Sequence, residues 1–406
     1  MSSYDFLKGL LVIEVAKLGP GALGGFLADM GANVVKVEEP GDGDYVRYTG
    51  PYAVGNENGF GYMFMRWNRG KRSVGIDLHS KAGAEIFKRL SEKADVVIEG
   101  MRAGVLDRLG VGYEELREIN PKLVYCSLSG LGLTGPYAKR GSHGPSFDAF
   151  AGLAQVPAEG DISKYAGHPS TSIGMYGMGL HAALGVLSAV IKARATGEGA
   201  MIEVAAAESA VHWLPDALEP LLNKELSVVR PGVTDWKGRM IGWPRMDNYR
   251  TKDGQVVLLQ VFMEKFWKRF WQSLERPDLP KVYEMATSPE AADEEVARLL
   301  TQIMLTRTLE EWEQLLDQHD IPFMKVNTFE DVVRDPHFLA RDNTYEVELP
   351  GTGRLRLTST PVKVRGQQFA PSLAPTLGEH SDALLQELLA MTPEEIAGLR
   401  AASVVA

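Results

Sequence analysis

At 406 residues, with 45% hydrophobic and 24% charged side chains, the chain has the composition of an average globular protein and enough length for two domains. A formal net charge of −10, with no run of lysine or arginine, excludes a general nucleic-acid binder. The single cysteine, Cys126, excludes an intramolecular disulfide and is expected to be a small core residue. Without a signal-peptide pattern or a run of roughly 18 apolar residues, we expect a cytoplasmic protein that does not enter a membrane.

Short runs of β-branched residues alternate with helical patterns over residues 10–130. This alternation is typical of βαβ units, in which helices cover a parallel sheet. It predicts strands at residues 10–15, 33–37, 73–77, 95–98 and 123–127, and helices at 81–93 and 113–118. We therefore expect an α/β fold.

The turn after the first predicted strand matches a dinucleotide-binding pattern. Gly19, Gly21 and Gly24 have the G-x-G-x-x-G spacing, and Glu38 ends the next strand about twenty residues further on. Pro20 opposes this interpretation, because it removes a backbone N–H from the loop that would bind a pyrophosphate. The pattern is therefore weak support for a nicotinamide or flavin site.

Residues 128–170 are polar and rich in glycine, which is typical of functional loops. His143 and Asp148 are the side chains of this stretch that could perform acid–base chemistry. A solvated His143 is an equally good interpretation. Asp148 is more simply explained as a cap of the short helix predicted at 148–154.

A helix interrupted by glycines is predicted from residue 174 to about 196. Gly174, Gly177 and Gly179 open it, and they permit either close approach of a ligand or tight packing of the helix. The apolar spacing predicts a buried face formed by Leu180, Leu184, Leu187 and Ile191. Basic residues and the glycines at 197 and 199 indicate the end of the helix.

The second half of the chain changes character at about residue 220. Tryptophans, a hairpin turn at Asp253 and Gly254 and helices at 265–275 and 309–319 predict a smaller α+β domain over residues 221–330. Strands at 345–349 and 353–358 and helices at 382–389 and 392–401 follow, the last opened by a capping box from Thr392 to Glu395. Residues 1–220 and 331–406 would then form one large domain.

Several phrases of the sequence, taken together, resemble the class III CoA-transferase family, which includes formyl-CoA transferases, carnitine CoA-transferases and α-methylacyl-CoA racemases. The phrases are LADMGANVVKVEEPGDGD (27–44), NRGKRSVGIDL (68–78), ADVVIEG with the residues up to TGP (94–136), TGEG (196–199) and PTLGEHSDALLQEL (375–388). The resemblance runs from about residue 7 to the C-terminus. It implies a Rossmann-like large domain built from both chain ends, a small domain between them, and a dimer of interlocked protomers. It also displaces the dinucleotide interpretation.

The resemblance implies covalent catalysis by an aspartate that attacks the donor thioester and forms a mixed anhydride. Counting back from the TGEG phrase, the position of that aspartate falls on Met175. A thioether can neither form an acyl anhydride nor act as a base at neutral pH. We therefore expect no catalytic residue in this chain, with His143 and Asp148 as weak candidates. His143 falls where the racemases carry a histidine, although here the phrase is Ser-His-Gly.

The resemblance also implies that a CoA thioester is the substrate, with no covalently bound cofactor and no metal. The residues expected to contact CoA are Lys17, Leu18, Arg72, Ile76, His79, Gly100, Met101 and Arg108. Two departures weaken this expectation. Glu39 stands where some members place an arginine toward the nucleotide, and Gly100-Met101 replaces an Asn-Phe pair.

Three hypotheses follow. In the first, the chain is a subunit of a heteromeric CoA-transferase whose homologous partner carries the aspartate. It then most resembles the E-type subunits that act with succinyl-CoA and (R)-benzylsuccinate in toluene degradation, and its substrates are acyl-CoA and carboxylic acids. In the second, a homodimer uses another carboxylate such as Asp148. In the third, the protein is a non-catalytic scaffold that binds CoA thioesters.

Overall fold

The structure, a computed structural model, describes residues 4–53, 60–153, 172–226 and 243–406. The chain divides into two compact units. The first comprises Met1–Trp213 and Ala340–Ala406, and the second comprises Leu214–Leu339. The small domain expected at 221–330 lies inside the second unit.

Six parallel strands form the sheet of the first unit, in the order β3-β2-β1-β4-β5-β6. Their bounds are β1 Leu11–Ala16, β2 Asn33–Glu38, β3 Arg72–Gly75, β4 Val96–Gly100, β5 Val124–Ser129 and β6 Ala200–Ala205. Ile13 pairs with Val35 of β2 and with Val97 of β4, so β1 lies between them. Valine and isoleucine at successive positions suit strands whose two faces are both buried. The expected α/β class and its first five strands are confirmed, and Cys126 is buried in β5.

Helices cover both faces of this sheet. On one face Phe87 packs in the same core as Ile13, and on the other face Leu27 packs in the same core as Val12. The helices of this part of the chain are α1 Gly21–Asp29, α2 Tyr62–Asn68, α3 Lys81–Lys93, α4 Val105–Arg108, α5 Tyr113–Ile119, α6 Pro145–Phe150, α7 Ile173–Thr196 and α8 Ala206–His212, with a 3-10 helix at Tyr45–Tyr48.

The second unit is an α+β unit built on a small antiparallel sheet with strand order β7-β8-β9. Its elements are α9 Pro215–Leu222, β7 Met246–Arg250, β8 Val256–Gln260, α10 Glu264–Ser273, α11 Asp278–Met285, α12 Pro289–Met304, α13 Leu309–Gln318, β9 Phe323–Lys325 and α14 Phe329–Arg334, and α15 Pro336–Ala340 follows. Gly254 adopts a positive φ of 80° in the turn between β7 and β8, as the hairpin pattern predicts. Trp267, Phe270 and Trp312 stack on one another, so these aromatic residues form the core.

The chain then returns to the first unit. A hairpin of β10 Thr344–Leu349 and β11 Gly353–Thr358 is followed by α16 Ser381–Leu389 and α17 Pro393–Ala401. Thr392 and Glu395 form the expected capping box at the start of α17. Leu384 of α16 belongs to the same core as Phe87, so both chain ends build the first unit.

The buried face of α7 differs from the one that the leucine spacing predicts. Leu180, Leu184 and Ile191 are 51%, 70% and 71% exposed, whereas Ala182 and Val186 are fully buried. The glycines explain the reversal. A Cβ at Gly179 would lie 2.9 Å from Phe26, at Gly177 2.7 Å from the Trp213 indole, and at Gly174 2.6 Å from the Ala206 carbonyl. The helix approaches its neighbours through small residues, and its larger side chains face outward.

By length and composition α7 could also cross a membrane. Its most apolar window has a mean hydropathy of 1.5, although 44% of that window is buried inside the structure. Val186 and Val190 lie in the core beside the sheet. Packing of α7 against the sheet therefore accounts for its apolar composition, as in a core helix. The glycine-containing start of α7 is part of the same continuous helix.

Candidate functional site

A cavity opens at the carboxyl ends of the strands, where the strand order reverses between β1 and β4. This is the place where ligands bind in open α/β sheets. Its volume of about 60 Å³ corresponds to roughly four to six waters, on a scale where one water needs 10–15 Å³. The lining residues are Val15, Ala16, Lys17, Val37, Glu38, Glu39, Asp44, Ile76, Leu78, His79, Met101, Val105, Leu106 and Leu109. Apolar walls with a few polar groups are the usual composition of a ligand-binding cleft.

The cavity brings together four of the residues expected to contact CoA, namely Lys17, Ile76, His79 and Met101. Lys17 extends from the end of β1, and its Nζ lies 3.8 Å from Oε2 of Glu39. Both side chains are partly exposed, at 33% and 54%. The rim of the cavity therefore carries an ion pair that water and ligands can reach.

The other four expected residues lie outside this lining. Arg72 begins β3 and forms an ion pair of 2.7 Å with Glu387. Arg108 ends the short helix α4, next to the lining residue Leu109, and is exposed. Gly100 ends β4, where a Cβ would overlap the ring of Pro20. Leu18 packs against the apolar cluster of Ala22, Trp67 and Met175. Their role in binding CoA stays a prediction.

A buried group of charges, which sequence reasoning missed, lies behind the cavity. Lys71 donates hydrogen bonds of 2.8 Å to both carboxylate oxygens of Glu14, and Lys36 lies 3.5 Å from Glu14 and 3.0 Å from Asp44. Burial lowers the pKa of Lys71, and Glu14 opposes that effect. Burial acts in the same direction on Lys36, but the carboxylates of Asp44 and Glu14 outweigh it and raise the pKa of Lys36. The two lysines thus meet the carboxylates of Glu14 and Asp44 in the interior.

This group also holds the loop that follows β1. Lys36 donates a hydrogen bond of 2.5 Å to the carbonyl of Ala16, and Lys71 donates one of 2.8 Å to the carbonyl of Gly21. The two lysines thus fix both ends of the turn between residues 16 and 21. A Cβ at Gly24 would overlap the Glu14 carboxylate, so the third glycine of the G-x-G-x-x-G pattern makes room for this charge.

A second buried ion pair joins Glu38 to Arg47. Arg47 donates to both carboxylate oxygens of Glu38, at 2.9 and 2.6 Å, and Ser73 donates at 2.7 Å. Burial acts to raise the pKa of Glu38, but Arg47 and Lys36 outweigh it and lower the pKa to about 2. A carboxylate held in this way is a structural group and is not available to a ribose or a proton.

On its other side the loop contacts Met175. A Cβ at Gly19 would overlap the Met175 side chain, and Met175 forms a small apolar cluster with Ala22 and Trp67, against which Leu18 packs. The Met175 side chain is only 8% exposed. The N–H groups of Gly21 and Ala22 donate to carbonyls within the loop, so the dinucleotide phosphate site that the glycine pattern suggests is not present.

The start of α7 is capped by two side chains. Ser172 accepts a hydrogen bond from the N–H of Met175, and the Asp148 carboxylate accepts from the N–H groups of Ile173 and Gly174 at 3.2 and 2.9 Å. The expectation that Asp148 caps its own helix is wrong, because α6 has Gly144 at its N-cap and Asp148 points to the next helix instead. His143 is exposed in the loop before α6.

A model of CoA-transferase family III matches residues 7–381 of the chain. The chain belongs to CoA-transferase family III. This class III CoA-transferase chain is 34% identical to a succinyl-CoA:mesaconate CoA-transferase of Haloarcula hispanica over 386 residues, which cover 89% of the chain and 90% of that protein. It is 31% identical to a succinyl-CoA–L-malate CoA-transferase alpha subunit of Chloroflexus aurantiacus, with 98% and 92% covered. A CaiB/BaiF family protein of Brucella suis has a similar structure, with a TM-score of 0.74, 28% identity and coverage of 94% and 99%.

The geometry separates two parts of this CoA-transferase chain. The cavity beside Lys17 is open and carries both charge and apolar walls. The start of α7 presents a thioether packed against a glycine, and the Asp148 carboxylate is bound to the N-terminus of the same helix. The first combines charged and apolar groups at the carboxyl ends of the strands, and the second places a buried thioether at the start of a helix.

Proposed function

We propose that this chain is a subunit of a heteromeric class III CoA-transferase, in which it lacks the nucleophile and a homologous partner chain supplies it. The observation that supports the proposal is Met175, which stands at the start of α7 with its side chain buried against Gly19. In the reaction a carboxylate attacks the donor thioester, giving a mixed anhydride and free CoA thiolate. The thiolate then attacks the carbonyl that comes from the enzyme carboxylate, which forms an enzyme–CoA thioester and expels the donor acid as a carboxylate. The acceptor acid attacks this thioester, and the same steps in reverse give the acceptor's CoA thioester and the free enzyme carboxylate. A thioether cannot form that anhydride.

The cavity at the end of β1 is the proposed place for the adenosine end of CoA. Its apolar walls and its place at the carboxyl ends of the strands support this proposal, and Lys17 and His79 are the basic residues of its lining. Leu18, Arg72, Gly100 and Arg108 remain candidates for contacts with the rest of CoA, beyond the cavity.

The proposed reaction transfers CoA from succinyl-CoA to a dicarboxylic acid. The names of the two relatives support this proposal, since one acts on succinyl-CoA and mesaconate and the other on succinyl-CoA and L-malate. (R)-Benzylsuccinate of toluene degradation is one acceptor of this class. The rate of CoA transfer from succinyl-CoA to mesaconate, malate and benzylsuccinate, measured separately, identifies which of these acids is the acceptor.

A partner chain is supported by the outward face of α7. Leu180, Leu184 and Ile191 are each more than half exposed, whereas Leu187 packs against the core. The Chloroflexus relative is itself named as an alpha subunit. We propose that this face contributes to an interface with the homologous, interlocked partner.

The proposal is tested by activity with and without a partner. The isolated chain is expected to show no transfer from succinyl-CoA to mesaconate, malate or benzylsuccinate, whereas co-expression with a homologue that has Gly-Asp at the matching position should give an active complex. Met175→Asp should give the isolated chain measurable turnover, because it places a carboxylate where the resemblance to the family puts the nucleophile. Met175→Asn, which has the same shape but forms no anhydride, is the matched control. Turnover by the unmodified chain alone would contradict the proposal.

A second candidate function is a homodimer with Asp148 as the nucleophile. It is supported by the position of the Asp148 carboxylate, which is bound to the N–H of Gly174, one residue before Met175. Incubation with succinyl-CoA and hydroxylamine, followed by peptide mass spectrometry, should then label Asp148. Asp148→Asn should then abolish transfer. Ser172→Ala, which also removes a cap from the start of α7, is the control for the stability that Asp148→Asn loses. CoA binding without transfer in any complex would instead indicate a non-catalytic scaffold.

A further inference from the structure

We propose that a second cavity of the first unit binds a small molecule that bears a phosphate group, with Arg341 and Lys363 as the cations that hold the phosphate. The cavity lies between residues 340–344, at the start of β10, and residues 359–369, which follow β11. It shares no described lining residue with the cavity at the carboxyl ends of the parallel strands. The inference therefore goes beyond the proposed function and does not depend on it.

The size and inner wall of this cavity suit a small organic molecule. Its volume is about 340 Å³, and ligand-binding clefts generally enclose roughly 300–1,000 Å³. Tyr4 and Phe369 are both buried and line the cavity, and their rings lie 5.8 Å apart. Val364, which also lines the cavity, packs against the same cluster. A ligand would therefore contact apolar side chains on its inner side.

Arg341 and Lys363 lie on the exposed side of the cavity without a carboxylate partner. The Lys363 ammonium donates hydrogen bonds of 2.6 Å to the carbonyl of Asp342 and of 3.5 Å to the Ser359 hydroxyl, both of which are neutral acceptors. In the described part of the chain, neither basic side chain has a carboxylate within 4 Å of its nitrogen atoms. Both cations are therefore available to an anion that comes from outside the chain.

The two cations act on the same part of the cavity. Burial lowers the pKa of Lys363, Asp342 opposes that effect, and Arg341 adds to it. Charges further apart than about 10 Å are largely screened, so Arg341 and Lys363 lie near one another. A phosphate monoester carries nearly two negative charges on a single phosphorus, and a guanidinium binds it through two parallel hydrogen bonds. This compact dianion suits two neighbouring cations better than a dicarboxylate, whose charges are separated by a carbon chain.

Asp342 allows the sign of the charge effect to be tested. Among the described lining residues it is the acidic one, against two basic ones. A carboxylate there repels the phosphate that Arg341 and Lys363 attract. Asp342 has a positive φ of 50°, a conformation that asparagine also tolerates, so Asp342→Asn removes the charge without new backbone strain.

The test is isothermal titration calorimetry of the full chain with phenyl phosphate at low salt. This probe offers a phosphate to the cations and a ring to the apolar wall. Arg341→Gln and Lys363→Gln should each weaken its binding roughly 10-fold, because each removes a charge-assisted hydrogen bond. Lys363→Arg, which keeps the charge, should retain the affinity to within about threefold. Asp342→Asn should tighten binding roughly 3- to 10-fold.

Arg354→Gln is the matched control. It removes an exposed arginine of β11 that is paired with Glu346 and lies outside the cavity lining, so it should change the affinity for phenyl phosphate by less than about twofold. Inorganic phosphate, which lacks the ring, should bind more weakly than phenyl phosphate but respond to Arg341→Gln in the same way. Succinate should bind more weakly than phenyl phosphate, since its two charges are further apart.

Three results would overturn the inference. Phenyl phosphate fails to bind, or Arg341→Gln and Arg354→Gln weaken its binding equally, in which case the cavity is not an anion site. Succinate binds as tightly as phenyl phosphate, in which case the ligand class is wrong. The affinity for CoA falls together with that for phenyl phosphate in Arg341→Gln, in which case the phosphate belongs to CoA and the site is not a separate one. The first two results leave the proposed transfer of CoA unaffected.

Discussion

The turn between Ala16 and Gly21 has a charged region on one side and an apolar one on the other. On the charged side, Lys36 and Lys71 hold the two ends of the turn and pair with Glu14 deep in the interior. On the apolar side, the Met175 side chain fills the space where a side chain at Gly19 would lie. Both regions therefore contact the backbone of the same turn, residues 16–21.

Under the proposed function, this difference would let the chain keep the frame of a catalytic site without its reactive group. The charged side is costly to alter, because each buried charge depends on its partner. The apolar side needs only a side chain of suitable volume, so a residue can be exchanged there at small cost to the fold. We therefore expect changes on the charged side to damage stability most, and changes at residue 175 to affect stability less while affecting chemistry more.

The largest effect is expected for Glu14→Gln. It leaves Lys71 and Lys36 in the interior without the carboxylate between them, so the free energy of unfolding should fall by about 3–5 kcal/mol. Urea denaturation followed by tryptophan fluorescence measures this loss. Glu346→Gln, which removes a carboxylate from the exposed pairs with Arg354 and Arg356, is the control and should cost less than about 1 kcal/mol.

The double variant Glu14→Gln/Lys71→Met tests the reason for that loss. It removes one of the ammonium groups left without a partner, so it should be more stable than Glu14→Gln alone. Equal losses for Glu14→Gln and Glu346→Gln would show that the buried charges do not depend on one another, which would contradict the proposed contrast between the two regions.

A pH dependence of similar size should come from Glu38. Its pKa in the folded chain is about 2, below the ordinary value of 4.5, since Arg47 and Lys36 outweigh the effect of burial. The resulting stabilisation is complete above about pH 4.5 and is lost as the pH falls toward 2. At 1.36 kcal/mol per pKa unit it amounts to about 3 kcal/mol. In Glu38→Gln/Arg47→Met, which removes both partners, the loss of unfolding free energy between pH 5 and 3 should be smaller than in the unmodified chain.

The sequence predicts the framework of both regions better than their contacts. Runs of valine and isoleucine were sufficient to place β1 to β5, because a strand buried on both faces has few alternatives. The buried charges could not be predicted, since Lys36 and Lys71 lie 22 and 57 residues from Glu14 and meet it only when the strands pair. The spacing of the α7 leucines was misleading for a different reason. A helix that packs through glycine and alanine can have its larger side chains on the outer face.

A smaller loss is expected for Met175→Ala. Truncation of a methionine packed against Trp67 and Ala22 should lower the unfolding free energy by about 2 kcal/mol, whereas Met175→Leu should cost less than about 1.5 kcal/mol. Gly19→Ala provides a direct test of the contact, because its new methyl group would overlap the Met175 side chain. Combined with Met175→Ala it should cost less than the sum of the two single changes. Additive losses would mean that residues 19 and 175 do not touch.

The smallest effect on stability is expected at the rim of the cavity, for Lys17→Met. Its ion pair with Glu39 is 3.8 Å long and partly exposed, so the unfolding free energy should change by less than about 1 kcal/mol. Lys71→Met, whose partner is the same kind of carboxylate but fully buried, should cost several times more, because it leaves Glu14 without its nearest cation. Denaturation of both variants in parallel measures the contrast. A loss above about 2 kcal/mol for Lys17→Met would contradict the contrast, because the rim pair would then be a structural contact like the buried ones.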